Sequence, residues 1–202
     1  SFAVLGSAAQ EMITNAGTII GTVSLGAGDD GFSLAGAGVL SGNIVAGSGN
    51  DRVTIAGSGR VNGTIDLGDG DDVLTVNLSG SDPMAGIGGA VTAGAGVDTL
   101  AFSNDAGVTN TLNIGDIGPV AADFGFEQSG FNGLGTLNLA GSGDLSGTFA
   151  VLGGTFNNLA NATIGIAGAS AFDVGGGSSA VKFTNAAIGA VTVSGDGAVG
   201  VL

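Results

Sequence analysis

Apolar and polar residues alternate in short runs along this chain. Val23 and Leu25, Ile44 and Ala46, Ile65 and Leu67, and Val91 and Ala93 each bracket a single Ser, Val, Asp or Thr. A second set follows each of these after a glycine-containing turn: Phe32/Leu34, Val53/Ile55, Leu74/Val76 and Leu100/Phe102. A period of two is the mark of a strand with one face inward. A third, shorter strand is predicted near Val39/Leu40 and again near Val61. Nothing shows the 3.6-residue apolar period of a helix.

The runs recur. GTVSLGAGDDGFSLAG (21–36), GNIVAGSGNDRVTIAG (42–57), GTIDLGDGDDVLTVNL (63–78) and GAVTAGAGVDTLAFSN (89–104) align directly. Their turn glycines, Gly26, Gly47, Gly68 and Gly94, are spaced by 21, 21 and 26 residues. The longer interval holds an insertion around SDPMAGIGG, where Pro83 breaks any strand. Three short strands in each repeat describe one rung of a parallel β-solenoid, in which each rung buries its inner face only against its neighbours. The phrase returns as LNLAGSGDLSGTFAVLG (137–153), and less regular units follow over 153–168, 169–183 and 186–202. Residues 105–135, with Pro119, Phe124, Phe126 and Phe131, are the least regular and predict an irregular rung or a loop packed back, its Phe residues plugging the core. No linker is evident, so residues 1–202 read as one domain. At roughly 21 residues per rung there are about nine rungs, a rod about 45 Å long. Neither end reads as a polar cap, so the ends either continue into capping parts or meet other subunits.

Composition narrows the picture. Glycine supplies 43 of 202 residues, with only two prolines and no Gly-X-Y period, which excludes collagen. Trp and Tyr are absent and Phe provides all ten aromatics, so the apolar filling is thin and mostly aliphatic. With no His and no Cys, thiol chemistry, disulfides and a Ser-His-Asp triad are excluded. Three basic residues, Arg52, Arg60 and Lys182, stand against 17 acidic ones, a net charge of -14. Such a chain repels nucleic acid and anionic lipid. Mean hydropathy is +0.52. Even so, no stretch is long and apolar enough for a transmembrane helix, and no Lys/Arg-led signal peptide begins the chain.

The turns themselves carry the candidate chemistry. Gly-x-Gly-x-Asp occurs at 26–30, 47–51, 68–72 and 94–98. Stacked rungs would align Asp30, Asp51, Asp72 and Asp98 along one edge, with Asp29, Asp69 and Asp71 adding charge. The pattern resembles the calcium-binding RTX nonapeptide, in which Gly frees the backbone and Asp supplies hard oxygen. Here Leu25, Ala46, Leu67 and Ala93 stand in place of its first Gly, and the motif recurs once per rung instead of in tandem. Solvated turns whose Asp side chains cap turn amides are the other reading. The pairs Asp29-Asp30 and Asp71-Asp72 invite comparison with β-helical glycosidases, but the absence of His makes glycan cleavage the weakest reading. Asn15, Asn43, Asn62, Asn77 and Asn104 are candidates for stacked Asn ladders, and only Thr109-Asn-Thr111 offers the Thr-x-Thr spacing of an ice-binding row.

NAGTIIGTVSLGAGDD (15–30), GFEQSGFNGLGTLNLAGSGDLSG (125–147) and GGTFNN (153–158) resemble the passenger domains of autotransporters, the type V secretion proteins of Gram-negative bacteria. The resemblance is sharpest over 15–104 and 125–158. It implies a right-handed parallel β-helix, secreted and displayed at the outer cell surface through a C-terminal membrane barrel that is not read in these residues. The expectation is therefore a non-catalytic structural or adhesive rod that meets a cell surface, extracellular matrix or its own copies. A self-assembling extracellular filament or surface-layer subunit is the alternative. No cofactor is required; Ca2+ is the one candidate.

Overall fold

The computed structural model is built of strands and turns with almost no helix. It describes residues 1–79, 82, 84, 86–113, 124–146, 148–159, 163–167, 171–174, 182–185, 190–194 and 199–201. Two compact units emerge: Ser1–Asn77, Met84–Thr99 and Phe124–Phe126 form the first, and Leu78–Pro83, Leu100–Asp123 and Glu127–Leu202 the second.

The first unit is a stack of parallel coils. Its first coil holds β1 (Phe2–Leu5), β2 (Met12–Asn15) and β3 (Thr18–Ile20). The second holds β4 (Thr22–Ala27), β5 (Gly31–Leu34) and β6 (Val39–Ser41), and the third β7 (Ile44–Ser48), β8 (Arg52–Ile55) and β9 (Arg60–Val61). After β10 (Ile65–Asp69) and β11 (Val73–Asn77) the chain returns as β12 (Val91–Ala95). Corresponding strands pair in parallel, in the orders β1-β4-β7-β10-β12, β2-β5-β8-β11 and β3-β6-β9. Ile65 lies between Ile44 and Val91, and Val53 between Phe32 and Leu74. The sequence repeat is thus the sheet register itself. A parallel bridge from Val61 to Ile87 carries the third sheet past the insertion; Pro83 and Pro119 lie outside the described residues.

Alternation decides the core. The inward positions Val23, Leu25, Phe32, Leu34, Ile44, Ala46, Val53, Ile55, Ile65, Leu67, Leu74 and Val76 are all buried, and each apolar side chain stacks on its counterpart one coil away. Gly26, Gly47, Gly68 and Gly94 leave the first strands at φ of 111°, 121°, 100° and 118°. A methyl group on Gly68 would collide with the carbonyl of Gly47, so both backbone conformation and close approach demand glycine.

The second unit takes in β13 (Thr99–Ser103) from Leu100 onward and contains β14 (Thr109–Asn113), β15 (Gln128–Ala140), β16 (Ser142–Ser146) and β17 (Thr148–Asn158). It continues with β18 (Thr163–Ala167), β19 (Ala171–Val174), β20 (Lys182–Asn185), β21 (Ala190–Ser194) and β22 (Val199–Val201). Its sheets run β13-β15-β17-β19-β22, with β14 on β15 and β20 on β17, and β16-β18-β21. Every registered pair is parallel. Gly154, at φ 64°, bends the long strand β17, and the buried rings of Phe149 and Phe156 meet 5.5 Å apart at 48°. Phe126 and Phe131 are buried, as a core-plugging role requires, but Phe124 and Phe126 belong to the first unit and Phe131 to the second. Within 105–135 the described residues include β14 and the start of β15, with register shifts between Phe131 and Asn132 and between Asn132 and Thr136 where β15 pairs with β17. Among the described residues no helix is long and apolar enough to cross a membrane.

Candidate functional site

Each Gly-x-Gly-x-Asp turn of the first unit links a strand of the first sheet to one of the second. Through most of a coil, amides find carbonyls of the neighbouring coil. At the turn, two successive amides find side chains instead. The amide of Asn50 donates to Oδ1 of Asp29 at 2.8 Å, and that of the next residue, Asp51, donates to Oδ1 of Asp72 at 2.7 Å. One bond reaches back a coil and the other reaches forward.

Both bonds propagate. The outer ladder runs Asp29, Asn50, Asp71, with the amides of Asp71 and Val97 each donating at 2.8 Å to the preceding member. The inner ladder begins at Glu11, whose amide donates to Asp30 Oδ1 at 2.7 Å; Asp30 donates to Asp51 at 2.7 Å and Asp72 to Asp98 at 2.8 Å. The structure therefore aligns Asp30, Asp51, Asp72 and Asp98 as the spacing predicts. It does not leave them solvated: their exposures are 3%, 1%, 0% and 0%. The period explains this, since the last residue of the turn is already in phase with the inward face of the next strand. Asp29, Asp69 and Asp71 are exposed, and Asp69 belongs to neither ladder.

Burial sets the electrostatics. Oδ2 of Asp30, Asp51 and Asp72, and Oε2 of Glu11, are buried without a hydrogen-bond partner. Desolvation pushes the Asp72 carboxyl up to about 6; the amide of Asp51 opposes this, while the charges of Asp51, Asp98 and Asp71 add to it. Asp51 and Asp30 are raised for the same leading reason. A buried carboxylate oxygen with no partner calls for a proton or a cation. Calcium takes six to eight oxygens. The column offers hard oxygen of the right kind. Among the described residues, though, no three acidic side chains gather as a metal cluster. Turn carbonyls would have to complete the shell.

Sequence reasoning missed Glu11 because it precedes Asp30 by 19 residues, out of step with the 21-residue period. It also missed Asn50, which stands openly in the middle of its motif. The Asn candidates do not stack on one another. Asn15 and Asn104 are buried, Asn43 and Asn62 exposed, and Asn77 half-buried. Asn43 accepts the amide of Thr64, and Asn62 donates to Ser41. Asn104 is the hub of a turn in the second unit. It accepts from the Gly135 amide at 3.0 Å and donates to Thr136 O at 2.9 Å and Asn110 Oδ1 at 3.0 Å. An outward ladder does form where none was expected, from Thr111 through Asn138 to Asn157, beside Thr109, Thr136 and Thr155 in register. Its members lie 27 and 19 residues apart, which no single period reveals.

Comparison with the models of known protein families, with curated proteins and with solved structures finds no match.

Proposed function

We propose that this chain is a right-handed parallel β-helix of about nine rungs, secreted and held at the outer cell surface as a non-catalytic structural or adhesive rod. The observation that carries this reading is the parallel register from β4 through β7 and β10 to β12, in which each coil repeats its neighbour's inward face. A solenoid of this kind presents long regular faces, which suits spacing and display. The lack of His and Cys removes the usual nucleophile-activating groups, and the -14 charge disfavours nucleic acid and anionic lipid as partners. The resemblance to autotransporter passengers supports the same location, with another cell or extracellular matrix as partner. Immunogold labelling and protease shaving of intact producing cells test it: surface label lost on shaving is expected, and label confined to the cell interior overturns it.

A second reading, that the inner ladder takes calcium, rests on a difference between the two ladders. The exposed ladder uses Asp and Asn interchangeably, because capping an amide needs only a neutral oxygen. The buried one uses Asp at all four turns. There charge is most costly, and Asn would cap the amide as well. A cation between coils accounts for that choice.

A further inference from the structure

Asn-Gly occurs twice in the chain, at 62–63 and at 132–133. The pair is chemically labile, because glycine has no Cβ to shield its amide nitrogen from the carboxamide before it. The fold treats the two copies differently. Asn132 lies inside β15, between β13 and β17, in register with Gly153, and its Oδ1 packs over Gly153. Gly133 has the Phe131 ring and the Asn104 carboxamide against it. A strand packed in this way has little freedom to fold its backbone nitrogen onto a side chain.

Asn62 and Gly63 instead form the bend between β9 and β10, and Asn62 is exposed. The adjoining coils place Ser41-Gly42 and Gly88-Gly89 at this corner, so of the three only this one carries the labile pair. A methyl group on Gly63 would strike the Gly42 carbonyl and Asn43 Oδ1. Packing therefore requires the glycine that makes Asn62 reactive.

We propose that Asn62 is a site of spontaneous deamidation through a cyclic imide, and that the fold spares Asn132. The Gly63 nitrogen attacks Cγ of Asn62 and gives up its proton as the N–C bond forms. Nδ2 takes up a proton and leaves as ammonia. Water then opens the imide at either carbonyl, giving aspartate or isoaspartate. Aspartate fits the corner: Ser41 Oγ, which now accepts from Nδ2 at 3.2 Å, can donate to the new carboxylate. Isoaspartate does not fit. It inserts a methylene into the main chain between the Asn62 amide, bonded to Leu40 O at 2.9 Å, and the Thr64 amide, bonded to Asn43 Oδ1 at 3.0 Å. Both bonds cannot survive the added length, so the corner loosens.

Ageing of the intact chain in mildly alkaline buffer tests this, read by peptide mapping with fragmentation that separates isoaspartate from aspartate. In the folded chain Asn62 should convert about tenfold faster than Asn132 or more. In urea the two rates should converge, because the shielding of Asn132 is lost. Aged protein should melt below an Asn62→Asp variant, whose main chain is unaltered. An Asn62 that stays intact, equal rates at the two sites in the folded chain, or an aged protein as stable as Asn62→Asp overturns the proposal.

Discussion

The amide of Asp51 is capped by the carboxylate of Asp72, from the following coil, across 2.7 Å. Asp72 is fully buried, and its second oxygen has no hydrogen-bond partner. One side chain thus closes a turn and leaves a charge-bearing atom inside the coil.

Asp51→Asn separates capping from cation binding. The amide oxygen still caps Asp30, so metal-free stability should hold or rise as a buried charge is removed. If the column takes calcium, wild type should gain several degrees of melting temperature at about 1 mM calcium, and the variant should lose most of that gain. Equal calcium responses, or none in wild type, would remove the metal reading.

Stability in calcium-free buffer should depend on pH in the direction opposite to ordinary acid denaturation. The folded carboxyl of Asp72 sits at about 6, above its usual 3.8, so between those values the folded state holds the proton that the unfolded state has released. The stabilisation is fully present below the unfolded value and is lost as pH rises through about 6. Urea midpoints measured from pH 4 to pH 7.5 should fall over this window. Asp72→Asn should flatten the fall.

Two glycines of left-handed conformation should respond unequally to alanine. Gly68 (φ 100°) has the Gly47 carbonyl where a methyl would go, whereas Gly36 (φ 60°) has nothing within 4 Å. Gly36→Ala should cost about 1–2 kcal/mol, the conformational penalty alone. Gly68→Ala should cost at least about 3 kcal/mol or prevent folding, because the coils must also part. Denaturant titration of the pair gives the comparison, and equal costs would contradict it.

Asn104→Ala should destabilise the second unit by about 3 kcal/mol, since it strands the Gly135 amide and the buried Asn110 side chain loses a donor. Asn104→Asp keeps the acceptor for Gly135 and should recover part of the loss. Hydrogen exchange at Gly135 reads the difference directly.

Much of the first unit was legible because its period is both regular and short. Val23, Ile44, Ile65 and Val91 announce their stacking by spacing and by alternation alone. The second unit was harder. Thr109 pairs with Thr136 and Thr136 with Thr155, intervals set by bends within β15 and β17 that composition does not mark. At the candidate site the alignment of the aspartates could be read, but their burial could not. Whether Asp51 faces water or core depends on where the turn ends and the strand's alternation resumes, a matter of one residue. Asn50, one position earlier, faces the other way.

Because each turn is bonded back to one neighbour and forward to the other, a coil is a unit of exchange. Between Asp72 and Asp98 the chain is five residues longer than the usual interval, yet the amide of Asp72 still reaches Asp98. The extra length falls between β11 and the Val61–Ile87 bridge, outside the Gly-x-Gly-x-Asp turn. The chain is therefore free to lengthen or shorten by whole coils, or to gain residues outside the turn. A single residue gained or lost inside Gly-x-Gly-x-Asp would unseat both ladders at once.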